Sequence, residues 1–172
     1  MPIRATESSR ARESAPPRYS ARHERANQLT HGVGALLSIA GLAVLVSLAA
    51  LRGTAWHVVS CSIYGATLIL LFTASTLYHS FSRARVRKAL RILDHASIYL
   101  LIAGSYTPFV LVTLRGPWGW SLFGSVWGLA VAGVVLKLFF TGRFRILSTL
   151  VYVAMGWLIL IAIRPLVSEM PP

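Results

Sequence analysis

Five apolar runs separated by short turns limit what this chain can fold into more than any other feature of it. They fall at residues 33–51, 56–79, 94–113, 118–140 and 146–163. A helix needs about 20 apolar residues to cross a hydrocarbon core about 30 Å thick. In that medium every backbone donor and acceptor must be satisfied within its own segment, which leaves helices as the natural spanning form. The predicted fold class is therefore all-α, a polytopic transmembrane helix bundle with five spans in this chain. Composition agrees, because a chain of 172 residues that is 55% hydrophobic and 13% charged has more apolar surface than a soluble domain can cover.

The punctuation between the runs is clear. Arg52-Gly53-Thr54 and Arg115-Gly116-Pro117 are tight turns, and Trp56, Trp118 and Trp120 stand where interfacial aromatic anchors belong. The remaining tryptophans are read the same way. Pro108 lies inside the third run and is expected to kink it, since proline removes a backbone donor. Gly124 and Gly128 form a small-xxx-small pair suited to close helix packing. Arg164-Pro165 is expected to end the fifth span. Residues 1–22 are rich in Arg and Ser, contain Pro16-Pro17 and lack an apolar core. They read as a basic tail without fixed structure, not as a signal peptide. The single cysteine, Cys61, allows no intrachain disulfide.

A net charge of +12 would suit a nucleic-acid binder if it formed one patch. It does not. Six arginines precede the first span, Arg83, Arg85, Arg87, Lys88 and Arg91 lie in the 80–91 loop, and Arg143 and Arg145 follow the fourth span. The other loops and the tail carry only Arg52, Arg115 and Arg164. Strong and weak segments alternate, so the positive-inside rule places the N-terminus in the cytoplasm of a multi-pass cell-membrane protein. The partner implied is the lipid bilayer, not nucleic acid.

That orientation gathers the polar residues at one face. Glu24, Asn27 and His31 recur at helical spacing and lead into the first span. Ser75 and His79 are one turn apart at the end of the second, and Asp94-His95 opens the third. Antiparallel neighbours would bring His79 and Asp94 to similar depth, where ionisable groups are expensive and usually functional. Imidazole and carboxylate are both zinc ligands. A metal there would activate a water, with Ser75 bonding substrate or the developing oxyanion. His31 or His95 would have to supply a third ligand. The alternative stays open that Asp94 is an N-cap and His79 an interfacial residue. Structural roles are the expectation for His95, His23 and His57, and interhelical hydrogen bonding for Tyr99, Tyr106 and Thr107.

The stretches Glu24 to His31, Ser75 to His79, Asp94 to Tyr99 and Ala103 to Pro108 resemble the haemolysin III family, which is related to the progestin and adipoQ receptors. The resemblance covers residue 23 onward. It implies a seven-helix membrane protein with its N-terminus inside and a zinc site near the cytoplasmic face. It also implies His79 as zinc ligand, Asp94 as holder of the zinc-bound water and Ser75 as the serine that completes the set. The family's paired seventh-helix histidines have no counterpart among these residues, since no histidine follows His95, and the family's last two helices are expected to be missing from this chain.

Two classes of function follow. One is a zinc-dependent hydrolase of lipid amides or esters at the cytoplasmic leaflet, with Ser75 and Asp94 catalytic, His79 as metal ligand and His31 as a candidate further ligand. The other is a membrane-active, pore-type cytolytic protein, or an inactive truncated scaffold of receptor type. An odd number of helices also makes a homo-oligomer an expectation.

Overall fold

The computed structural model describes residues 21–140 and 145–169. Five helices in it are long and apolar enough to cross a membrane, and no strand occurs among the described residues. Helix α1 spans Ala21–Arg52, α2 Ala55–Ser80 and α3 Ala84–Pro108. A π-helical turn at Phe109–Thr113 prolongs α3 before α4 begins at Pro117–Phe140. The fifth span is composite, with α5 at Arg145–Trp157, a 3₁₀ segment at Leu158–Ala162 and α6 at Ile163–Glu169.

Consecutive helices pack as neighbours, and α3 is central, touching α2, α4 and the fifth span. The tightest core lies between α3, α4 and the fifth span, where Tyr99, Ala103, Val110, Val126, Ala130 and Met155 are almost fully enclosed. Gly133 on α4 lets the Tyr99 ring lie against the backbone, and Gly104 on α3 does the same for Thr67 on α2. Between α3 and α4, Gly116 adopts a φ of 143°, a conformation that L side chains rarely take.

Several boundaries differ from the sequence expectation. Ala21 and Arg22 belong to α1, while residues 1–20 of the expected tail lie outside the described residues. The 80–91 segment is not a loop, because α3 starts at Ala84 and its first two turns are Ala-Arg-Val-Arg-Lys-Ala-Leu-Arg. Alanine, leucine, lysine and arginine are all strong helix formers, so charge did not mean coil. Asp94 consequently lies ten residues inside α3, and Arg83 occupies the N-cap position instead. Arg164-Pro165 does not stop the fifth span, which runs apolar from Ile146 to Ser168. Pro165 falls in the first turn after the 3₁₀ segment, where its missing N–H costs little.

Pro108 sits at the end of α3, and the backbone answers it by widening into the π turn, closed by Leu114 N–H to Phe109 O at 2.8 Å. Gly124 and Gly128 face open space, because the packed stripe of α4 runs through Gly119, Leu122, Val126, Ala130 and Gly133. Trp127 is no interfacial anchor; its indole N–H donates to Thr107 Oγ1 at 3.2 Å within the bundle.

Candidate functional site

The chemistry-bearing residues collect at the end of the bundle where α2 turns into α3. Gly104 against Thr67 sets the register of those two helices. From that crossing, His79 lies twelve residues along α2 and Asp94 ten residues back along α3. At about 1.5 Å per residue these are about 18 and about 15 Å, so the two are at similar depth.

His79 is not paired with Asp94. Its Nδ1 lies 2.6 Å from Glu24 Oε2, on α1. The other oxygen of Glu24 accepts from the Arg87 guanidinium on α3. One carboxylate thus ties three helices together, and all three side chains are four-fifths or more enclosed. Glu24 forms an ion pair with Arg87, so its carboxylate accepts and His79 Nδ1–H is the donor between them. The Arg87 guanidinium also lies 5.1 Å over the Tyr78 ring, and that ring packs edge-on to His79 at 4.9 Å.

His31 completes this side. Its ring stacks on that of His79 at 6.0 Å and 17°, and packs on Phe72 at 5.8 Å. Its Nδ1 is buried and has no hydrogen-bond partner, and the same is true of Arg87 Nε. Ser75, one turn before His79, is buried. Asp94 is mostly enclosed and lies 3.6 Å from His95 Nδ1, which donates to Arg91 O at 2.8 Å. His95 is further tied down through its carbonyl, which accepts from Tyr152 Oη at 2.8 Å.

The other aromatic and histidine residues have structural work. Tyr106 Oη lies 2.7 Å from Met155 O and accepts from Ile159 N–H at 2.9 Å, satisfying backbone groups where the fifth span changes from α to 3₁₀. Thr107 donates to Ala103 O, and Tyr99 packs on Tyr152. His57 Nδ1 accepts from Thr54 N–H and caps α2.

As a zinc site this donor set fits in part. It offers one imidazole oriented by a carboxylate, a second with an unengaged nitrogen, and Asp94 at similar depth on α3. Among the described residues no three His, Cys, Asp or Glu side chains are grouped to hold an ion.

The model of the Haemolysin-III related family matches residues 19–172. The chain belongs to the haemolysin III family. Curated relatives agree. Hemolysin-3 of Bacillus cereus is 51% identical over 149 residues, covering 87% of this chain and 68% of the relative. The Hemolysin-3 homolog of Bacillus subtilis (strain 168) is 47% identical over 152 residues, 88% of this chain and 71% of the relative. The human monocyte to macrophage differentiation factor is similar at 27% over 137 residues, 77% of this chain and 56% of that protein. No solved structure matches.

Within this haemolysin III protein, two members of the polar cluster were not assigned from sequence. In the sequence Glu24 counts as part of a helical face and as the head of the first stretch resembling the family, and Arg87 as one of several loop charges. Glu24 carries a usable signal, because it and Asp94 are the only acidic residues between positions 14 and 168.

Proposed function

We propose that this chain is a membrane-embedded hydrolase of lipid amides or esters that uses zinc and works at the leaflet on the side of the α2–α3 turn. The observation that carries the reading is the hydrogen bond between His79 Nδ1 and Glu24. A carboxylate on one ring nitrogen fixes the tautomer and makes the other nitrogen a better donor, which is how metal-binding histidines are commonly held.

His79 Nε2 would bind the metal, with His31 as a second ligand, and Asp94 would hold a water by accepting its proton. Zinc, when bound, lowers the pKa of a water and polarises a carbonyl. Ser75 would donate its O–H toward the carbonyl oxygen as charge develops there. Glu24 positions His79 and does not touch substrate, and Arg87 holds Glu24 ionised against it. The charge asymmetry between loops supports a cytoplasmic N-terminus, and hence action at the inner leaflet.

The test is the metal content and lipid hydrolysis of the purified full chain in detergent. Near-stoichiometric zinc that is lost in His79→Ala, together with cleavage of N-acyl or O-acyl lipid lost in the same variant, is the expected result. Wild-type protein that takes up no zinc and cleaves neither lipid class overturns the reading. The name of the Bacillus cereus relative favours a second reading, membrane lysis. Dye release from liposomes that persists in His79→Ala would establish that reading in place of the hydrolase.

A further inference from the structure

A groove of about 350 Å³ runs between α1 and α2, lined among others by Gly34, Gly41 and Leu45 on α1 and by Gly65, Leu68 and Phe72 on α2. It lies on the same helical faces as the polar cluster. Along α1 the positions are 31, 34, 38, 41 and 45, and along α2 they are 79, 72, 68 and 65, all separated by threes, fours or sevens. Phe72 joins the two regions, since its ring packs on His31 and lies against Gly34. The walls are mainly apolar, with the Tyr64 side chain among them. The one α1 hydroxyl in them, Ser38, donates to Gly34 O at 2.6 Å and offers no donor to the groove.

Glycine makes the space. Gly65 lets α2 approach Leu42 closely, and Gly34 admits the Phe72 ring, so the helices meet at both ends of the groove. Gly41 lies between them, and a side chain there would meet nothing within 4 Å. From Gly34 to Leu45 the groove follows eleven residues of α1, about 16 Å. That is about half of a hydrocarbon core some 30 Å thick, the depth of one leaflet.

We infer that this groove holds a single acyl chain of a bilayer lipid, with the lipid's polar end at the His31–His79–Glu24–Arg87 cluster. An acyl chain matches the groove in polarity and length. The polar end has its own vacancy in bonding: His31 Nδ1 and Arg87 Nε are buried nitrogens without partners, and Arg87 Nε–H is a donor that an ester, amide or phosphate oxygen would satisfy. As a substrate site this rests on the hydrolase reading, which it deepens: the cleaved lipid would be one whose acyl chain fits between α1 and α2. Occupancy of the groove by lipid does not depend on that chemistry.

The experiment reconstitutes the full chain in phosphatidylcholine vesicles containing a trace of phospholipid with a photoactivatable diazirine midway along one acyl chain. After illumination, the adducts are mapped by peptide mass spectrometry. The expected adducts concentrate on residues 34–45 and 64–72. They fall about tenfold, equivalent to about 1.4 kcal/mol of binding, in Gly41→Trp, which fills the groove, and in Leu45→Trp, which closes its far end. Gly124→Trp, which faces open space on α4 away from the groove, leaves them unchanged. Adducts spread evenly over the outer faces of all helices, and insensitive to both tryptophan variants, overturn the proposal. So do disulfide-linked dimers of Gly41→Cys in a Cys61→Ser background, which would put a second copy in the groove. Groove labelling without lipid cleavage would remove the hydrolase reading and leave the groove standing.

Discussion

His79 and Arg87 converge on Glu24, and each contact limits the others. Without the carboxylate, Arg87 would keep a charge in an enclosed setting and His79 would lose the acceptor that sets its tautomer. Glu24→Gln preserves shape and one acceptor but no ion pair; Glu24→Ala preserves neither. Both are expected to destabilise the chain, the alanine variant by about 1–3 kcal/mol, read as loss of midpoint in detergent-titration unfolding. If zinc binds, Glu24→Gln should also weaken it by about 10–100-fold, measured by competition with a chelator, while leaving the His79 ligand in place. Tyr106→Phe tests a different role. It removes the hydroxyl that serves Met155 and Ile159 and should cost about 1–2 kcal/mol without changing metal content. Local spacing made Ser75, His79, Asp94 and His31 visible as candidates. It could not show what His79 is bonded to, because the Glu24–His79 and Glu24–Arg87 contacts join positions 55 and 63 residues apart. Periodicity reports which face a residue shares, and only packing decides what that face meets.

At the scale of the helices, hydropathy marked the five spans but not their ends. The limits of an apolar run follow solvent, whereas the limits of a helix follow backbone bonding. Hence α3 starts ten residues before Asp94, and the fifth span continues through Arg164-Pro165. The same distinction explains the glycines. Gly124 and Gly128 have the spacing of a packing motif but lie off the buried stripe of α4, while Gly104, with no such partner at i±4, carries a helix contact. Gly104→Leu should therefore force α2 and α3 apart, at a cost of about 1–3 kcal/mol, and Gly124→Leu should be close to neutral. Thermal unfolding of the two variants side by side checks the contrast. Ser75, His79 and Asp94 depend on that contact, because Gly104 against Thr67 sets their common depth.

In the whole molecule, stability and chemistry occupy different places. The enclosed core joins α3, α4 and the fifth span, whereas α1 packs on α2 alone among the described residues, apart from the ion pair of Glu24 with Arg87. Backbone amides of α1 are accordingly expected to exchange with solvent deuterium before those of α3 and α4, by an amount that grows in Glu24→Ala. Hydrogen exchange resolved by mass spectrometry would show it, and uniform protection across all five spans would contradict it. The length of α1 has its own consequence. Its 32 residues make a rod of about 48 Å, of which the apolar run 33–51 is about 28 Å, close to an apolar layer of about 30 Å, so its first turns stand beyond that layer. A bilayer that thins below the length of that run makes the helix lean. Since α1 carries Glu24 and His31 while α2 carries His79, the bilayer's thickness becomes a mechanical input to the alignment of those three side chains, and the lipid composition around the protein tunes the fit at its polar end.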